Sequence, residues 1–176
     1  MALVRQCMPY ARRIGSLFVP AEVNMVFNKD QLAKAAEKAG LEFVAVGVST
    51  SSEISDAATA LVSRNIDAVC QIPGNLTASS FGGIAQAARR AKLPIFAFQQ
   101  VQAHEGAAVV LARDYYDAGR EAAAMAARIM RGEDPGSMPF RPFTKTKLVI
   151  NLGAARVVGL RVPPSLEAHA AEVIQE

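Results

Sequence analysis

The sequence predicts an α/β domain: a Rossmann-like parallel sheet with helices on both faces. Three observations lead there. Short β-branched runs alternate with apolar residues at helical spacing. The first four strands begin at residues 14, 42, 67 and 94, steps of 28, 25 and 27 residues, each the length of one strand-helix unit. Hydrophobic residues make up 51% of the 176-residue chain and charged residues 20%, enough for one packed core. Strands that alternate with helices pair in parallel through right-handed crossovers.

Taken in order, 14–19 reads as the first strand. Met25, Leu32, Ala36 and Ala39 mark the buried stripe of the helix behind it, and Gly40 is its stop signal. The second strand is 42–48. Thr50 and Glu53 have capping-box spacing, and Ile54, Ala57, Ala58 and Leu61 form the stripe that follows. The third strand is 67–72, followed by a helix carrying Phe81, Ile84, Ala85 and Ala88. The fourth strand is 94–98 and the fifth 107–112. Asp114 is placed to cap a long helix that ends before Gly132, with Gly119, Ala122, Ala126 and Ile129 on its inner face. The proline-containing stretch 133–142 reads as an extended connector. A sixth strand at 147–152, a short helix at 154–158 and a helical tail after Pro163-Pro164 complete the chain.

Several function classes are excluded by what these segments contain. The net charge is only +3 and the basic residues are scattered, so no stripe for nucleic acid is present. The longest apolar runs fall far short of the roughly 20 residues of a membrane-crossing helix. Cys7 and Cys70 make neither a metal cluster nor a disulfide framework, and Cys70 reads as core. His104 and His169 are far apart and read as solvated, so no metal and no cofactor is expected. The first turn lacks the glycines of a dinucleotide site, and no phosphate-binding loop occurs. Asp67 opens its strand and therefore lies at the wrong edge to accept a phosphoryl group.

Ligands of an open parallel sheet bind beyond the carboxyl ends of its strands. The turns there are 20–24, 49–53, 73–77 and 99–102. They are rich in hydroxyls and carboxamides and contain no His or Cys. Their only carboxylates are Glu22 and Glu53, so no nucleophile or acid–base pair can be assembled from them and no catalytic residue is assigned. Neutral donors and acceptors that fix a polar small molecule remain. Asn24, Ser49, Ser51, Asn75, Thr77 and Gln99 are the candidate ligand-binding residues. Caps and loops favour the same residue types, but four such turns share one edge. Tyr115 could line a cleft or pack, whereas packing is expected for Tyr116.

The run Pro9, Ala11, Arg13, Ile14, Gly15, Leu17, Pro20, Asn24 resembles the P-x-A-x-R-I-G-x-L-x-x-P-x-x-x-N stretch of a family of ABC transporter substrate-binding proteins. Segments 35–42, 67–69, 91–97, 114–120, 129–135 and 148–155 resemble the same family in order. The resemblance implies one lobe of the type I periplasmic-binding fold, in which two lobes joined by a hinge close on a small solute. It implies that 1–13 end the first lobe or hinge, 14–113 form the second ligand-binding lobe, and 114–176 comprise a returning helix, connector and C-terminal segment. It further implies a permease as partner, an extracytoplasmic home for a parent protein whose export signal lies outside this chain, and members that bind aromatic amino acids. Asp114 and Tyr115 match the family's hinge-proximal D-Y-Y. Two matches depart. The Ser that follows the family's Asn is Met25 here, and the turn P-T-D-N-T reads Pro73-Gly74-Asn75-Leu76-Thr77, so Asn75 lacks the charge that would attract an ammonium. The exposed side of the helix at 116–130 is a possible homodimer surface. An effector-sensing domain of a transcription regulator, or an α/β enzyme with its catalytic residues in a missing half, are the rival expectations.

Overall fold

In the computed structural model, which describes residues 1–175, a seven-stranded sheet has the order β2-β1-β3-β4-β5-β6-β7. The strands are β1 (Arg13–Phe18), β2 (Glu42–Gly47), β3 (Ala68–Gln71), β4 (Ile95–Ala97), β5 (Val109–Arg113), β6 (Thr146–Asn151) and β7 (Glu172–Ile174). The first five run parallel, β6 is antiparallel to β5, and β7 is parallel to β6. The α/β class and the repeated strand-helix unit are therefore as the sequence predicts.

Helix α2 (Val23–Lys38) joins β1 to β2, and α3 (Ile54–Val62) returns from β2 to β3 on the far side of β1. Right-handed crossovers in opposite directions place these two helices on opposite faces. The inner strands are covered on both faces, so they read as continuous apolar runs: the four central residues of β1 and all of β3 and β4 are buried. Edge strand β2 is only partly buried. Gly40 ends α2 with φ +67, and the Leu41 N–H reaches back to the Ala36 carbonyl at 2.9 Å. Met25, Leu32, Cys70, Phe81 and Ile84 all lie in one continuous core.

Several expectations need correction. The helix after β3 is two helices, α4 (Asn75–Ser79) and α5 (Phe81–Arg90). The tail is not wholly helical, because α8 (Pro164–His169) is followed by β7, three residues long and too short for a readable period. Helix α1 (Ala2–Cys7) precedes β1, in a segment to which the sequence reading assigned no element. The largest difference is α6 (Tyr115–Met130), which has no buried residue, so its apolar stripe has no partner within the described residues. Tyr116 on it is exposed rather than packed.

Arg5 explains why α1 stays on the domain. Its guanidinium donates to the carbonyls of Ala39 (2.6 Å), Gly40 (3.0 Å), Pro9 (3.0 Å) and Ala11 (2.7 Å). It therefore ties α1 to the end of α2 and the approach to β1. Arg5→Ala should cost about 2 kcal/mol, since a charge-assisted bond to a carbonyl contributes roughly 1.5–3 kcal/mol and this one is partly solvated. Chemical denaturation should show a lower midpoint with little change in slope.

Candidate functional site

The strand order reverses beside β1: the chain leaves it first toward β2 and then returns past it to β3. The crevice outside the carboxyl ends of β1 and β3 is thus the switch point of the sheet. Asn24 is the second residue of α2, just after β1, and Asn75 is the first residue of α4, just after β3. Both are exposed.

The two turns are physically joined. The Glu22 carboxylate accepts the N–H of Asn75 at 3.0 Å and of Leu76 at 3.2 Å. These first N–H groups of α4 have no partner inside their own helix, and a carboxylate is the favoured acceptor there. Fifty-two residues stand between Glu22 and Asn75, so no local pattern reveals the link.

Ser49 and Ser51 are exposed beyond β2. The Ser49 N–H donates to Glu53 at 2.9 Å, and the hydroxyls of Thr50 and Ser52 are 3.0 Å apart. The expected capping box does not form: the Thr50 side chain caps no helix N–H, and Glu53 instead reaches back to the N–H of Ser49. The Ser49 N–H, then the Thr50 hydroxyl, hold the Glu53 carboxyl below its ordinary value. A lowered carboxyl in the folded state contributes stability above the unfolded-state value and loses it as pH falls through the folded-state value. The stability gap between the native chain and Glu53→Gln should therefore be constant near neutral pH and close on acidification; a pH series of thermal melts would show it.

Gln99 stands at the end of β4, half-buried, its N–H bonded to the Gln102 side chain at 3.3 Å. Asp114 caps α6 by accepting the Asp117 N–H at 3.2 Å, and it lies 3.4 Å from the Lys147 ammonium. Tyr115 is 75% exposed. Thr77 differs from the rest. It is fully buried, and its hydroxyl donates to the Gly74 carbonyl at 3.3 Å. The structure thus brings Asn24, Ser49, Ser51, Asn75 and Gln99 to one edge of the sheet, sets Asp114 and Tyr115 at the end of β5 on the same side, and turns Thr77 inward. Two hollows lie elsewhere. One of about 750 Å³ runs between α5 and α7 (Leu152–Val158), past Gln86, His104 and Asn151. The other, of about 420 Å³, is near Tyr10 and Lys92.

Glu22 and Glu53 are engaged by N–H groups, and Asp117 is bonded to Lys145 at 2.8 Å, which holds its carboxyl low. Burial pushes the Cys7 thiol up to about 11 and the Cys70 thiol up to about 12, so neither is a thiolate near neutral pH. Asp67 lies at the opposite edge, where it accepts the N–H groups of Arg12 and Arg13 at 2.6 and 2.8 Å. Among the described residues, no group of three or more His, Cys, Asp or Glu could hold a metal ion, and no helix is long and apolar enough to cross a membrane.

The chain is similar to several known proteins. A tyrosine-binding protein of Clostridioides difficile (strain R20291) is 32% identical over 151 residues, which is 86% of this chain and 44% of that protein. A conserved domain protein of Vibrio cholerae superimposes with TM-score 0.88 at 30% identity, over 98% of this chain and 58% of its own. The ABC domain in complex with L-Trp from Streptococcus pneumonia gives TM-score 0.85 at 27% identity, over 98% and 60%. The chain thus spans about half the length of these relatives. The family profile described as ABC transporter substrate binding protein matches residues 1–174, and the chain belongs to that family, with the type I periplasmic-binding fold.

Proposed function

We propose that the chain is one lobe of the solute-binding component of an ABC importer, and that it grips a small polar or amino-acid-like solute without transforming it. The observation that carries this reading is the edge at the switch point. Five uncharged polar residues stand in the turns along that edge, while the two carboxylates of the same turns are already bonded to N–H groups. Such an edge can orient a solute and has no acid–base pair to attack it. Residues 14–113 form the ligand-binding lobe, and 114–176 lead out to α6 and back. The apolar stripe of α6, with Gly119, Ala122, Ala126 and Ile129, is the surface that a second lobe covers; without one, two copies of the chain pair through it. Closure of the two lobes then follows from tighter binding of the solute in the closed state. The protein works outside the cytoplasm and delivers its solute to a permease.

The relatives that bind tyrosine and L-Trp make an aromatic amino acid the first solute to test. Asn75 offers a carboxamide where a carboxylate would pair with an ammonium. In the full-length protein, Asn75→Asp should tighten L-tyrosine or L-tryptophan about tenfold, the equivalent of roughly 1.4 kcal/mol. Titration calorimetry on both forms is the test. Equal affinity would remove Asn75 from the ammonium site, and enzymatic turnover lost with Asn75 or Gln99 would overturn the binding role.

A further inference from the structure

We infer that Glu22 and Met25 form a two-sided clamp on the start of α4, and that this clamp sets where Asn75 stands beside Asn24. Glu22 holds one side through the N–H groups of Asn75 and Leu76. Met25 holds the other. It is fully buried, and its sulfur lies 2.0 Å from the point a Cβ on Gly74 would occupy, with Met25 Cγ and Cε each 2.7 Å away. No side chain fits there while Met25 keeps its place. Gly74 has φ −163, extended backbone open to any residue, so the glycine is there for space and not for conformation.

The two clamping residues are three apart at the start of α2, and Asn24 lies between them. The Glu22 carbonyl also accepts the N–H groups of Met25 (2.9 Å) and Val26 (3.0 Å), which fixes the clamp to the first turn of α2. The backbone segments that carry the two exposed carboxamides are therefore held relative to one another across the switch point. Glu22 and Met25 are positioning residues: they act on a solute only through Asn75. The consequence for solute affinity rests on the binding role proposed above, whereas the clamp itself rests on the contacts alone.

The test uses this 176-residue chain and needs no solute for its first two parts. In amide hydrogen exchange followed by NMR, Glu22→Ala should speed exchange at Asn75 and Leu76 by at least about tenfold, the equivalent of roughly 1.4 kcal/mol of lost protection. Glu22→Gln, which keeps an acceptor, should restore part of it. Val69 and Cys70 in β3 should not change. Equal acceleration at all four, or none at Asn75, would overturn the clamp. In thermal melts, Gly74→Ala and Met25→Ala should each lower Tm, and the double variant should lose clearly less than the sum, because the shortened residue 25 leaves room for the new methyl. Simple additivity would overturn the Met25 half. The third part titrates L-tryptophan. If it binds the native chain, Glu22→Ala should weaken it at least about fivefold and Glu22→Gln less. If it binds the native chain and Glu22→Ala leaves its affinity unchanged, positioning is refuted. If it does not bind the native chain, the aromatic-solute reading fails, and the exchange and melting results still decide the clamp.

Discussion

Replacement of Gln71 by leucine should lower the melting temperature by roughly 6–12 °C. Gln71 is fully buried in β3, and its carboxamide acts as a stand-in for backbone. Its oxygen accepts the Leu17 N–H at 3.2 Å, while its nitrogen donates to the carbonyls of Leu17 (3.1 Å) and Ile72 (3.0 Å). The direct β1–β3 register covers only Ile14 with Ala68 and Gly15 with Val69. Beyond it the strands part toward the switch point, and Gln71 bridges the opening. Leucine has similar volume but offers no partner, so the Leu17 N–H is stranded inside. The Leu17 carbonyl keeps the Ser16 hydroxyl at 3.1 Å. One buried donor left unpaired, together with the lost bonds, costs about 3 kcal/mol, and each kcal/mol moves Tm by roughly 2–4 °C at this chain length. Circular dichroism melts of Gln71→Leu and Gln71→Ala would check it; leucine as stable as glutamine would show that the bridge does not matter.

Gly15→Val should be the second large loss, about 1–3 kcal/mol from overpacking. A Cβ on Gly15 would sit 2.7 Å from Leu61 Cδ1, 3.0 Å from Ile66 Cδ1 and 3.2 Å from Leu61 Cγ. Leu61 is fully buried on α3, so it has nowhere to retreat. The bare backbone at 15 lets α3 lie close on β1. Gly15→Ala should cost less than Gly15→Val, and Leu61→Ala in the Gly15→Val background should cost less than it does alone. Melts of the three single variants and the double variant give the coupling directly.

The parallel sheet was legible because strands buried on both faces leave uninterrupted apolar runs, and because stop signals such as Gly40 act locally. The edge bearing Asn24, Ser49, Ser51, Asn75 and Gln99 followed from the same reading, since strand ends alone fix which turns face one side. What escaped notice depends on contacts distant in sequence. Glu22 and Asn75 meet across 52 intervening residues, Gln71 looks like one polar residue in an apolar strand, and the Met25–Gly74 fit exists only once α2 lies beside α4. Thr77 belongs to the right turn, yet its position in α4 turns its hydroxyl back to Gly74. The stripe on α6 has good helical spacing, but spacing cannot say what it packs against. The polar face of α6 is engaged, with Lys145 bonded to Asp117, while the stripe is bare.

The central claim is that solute meets this chain at the carboxyl edge of β1–β4. Titration of the ¹⁵N-labelled chain with L-tryptophan, read by ¹H–¹⁵N correlation spectra, tests it most directly. Shifts confined to 20–24, 49–53, 73–77 and 99–102 are expected, at weak affinity because only half of the contacts are present. Shifts centred instead on Gln86, His104 and Gly153, around the hollow between α5 and α7, would contradict it.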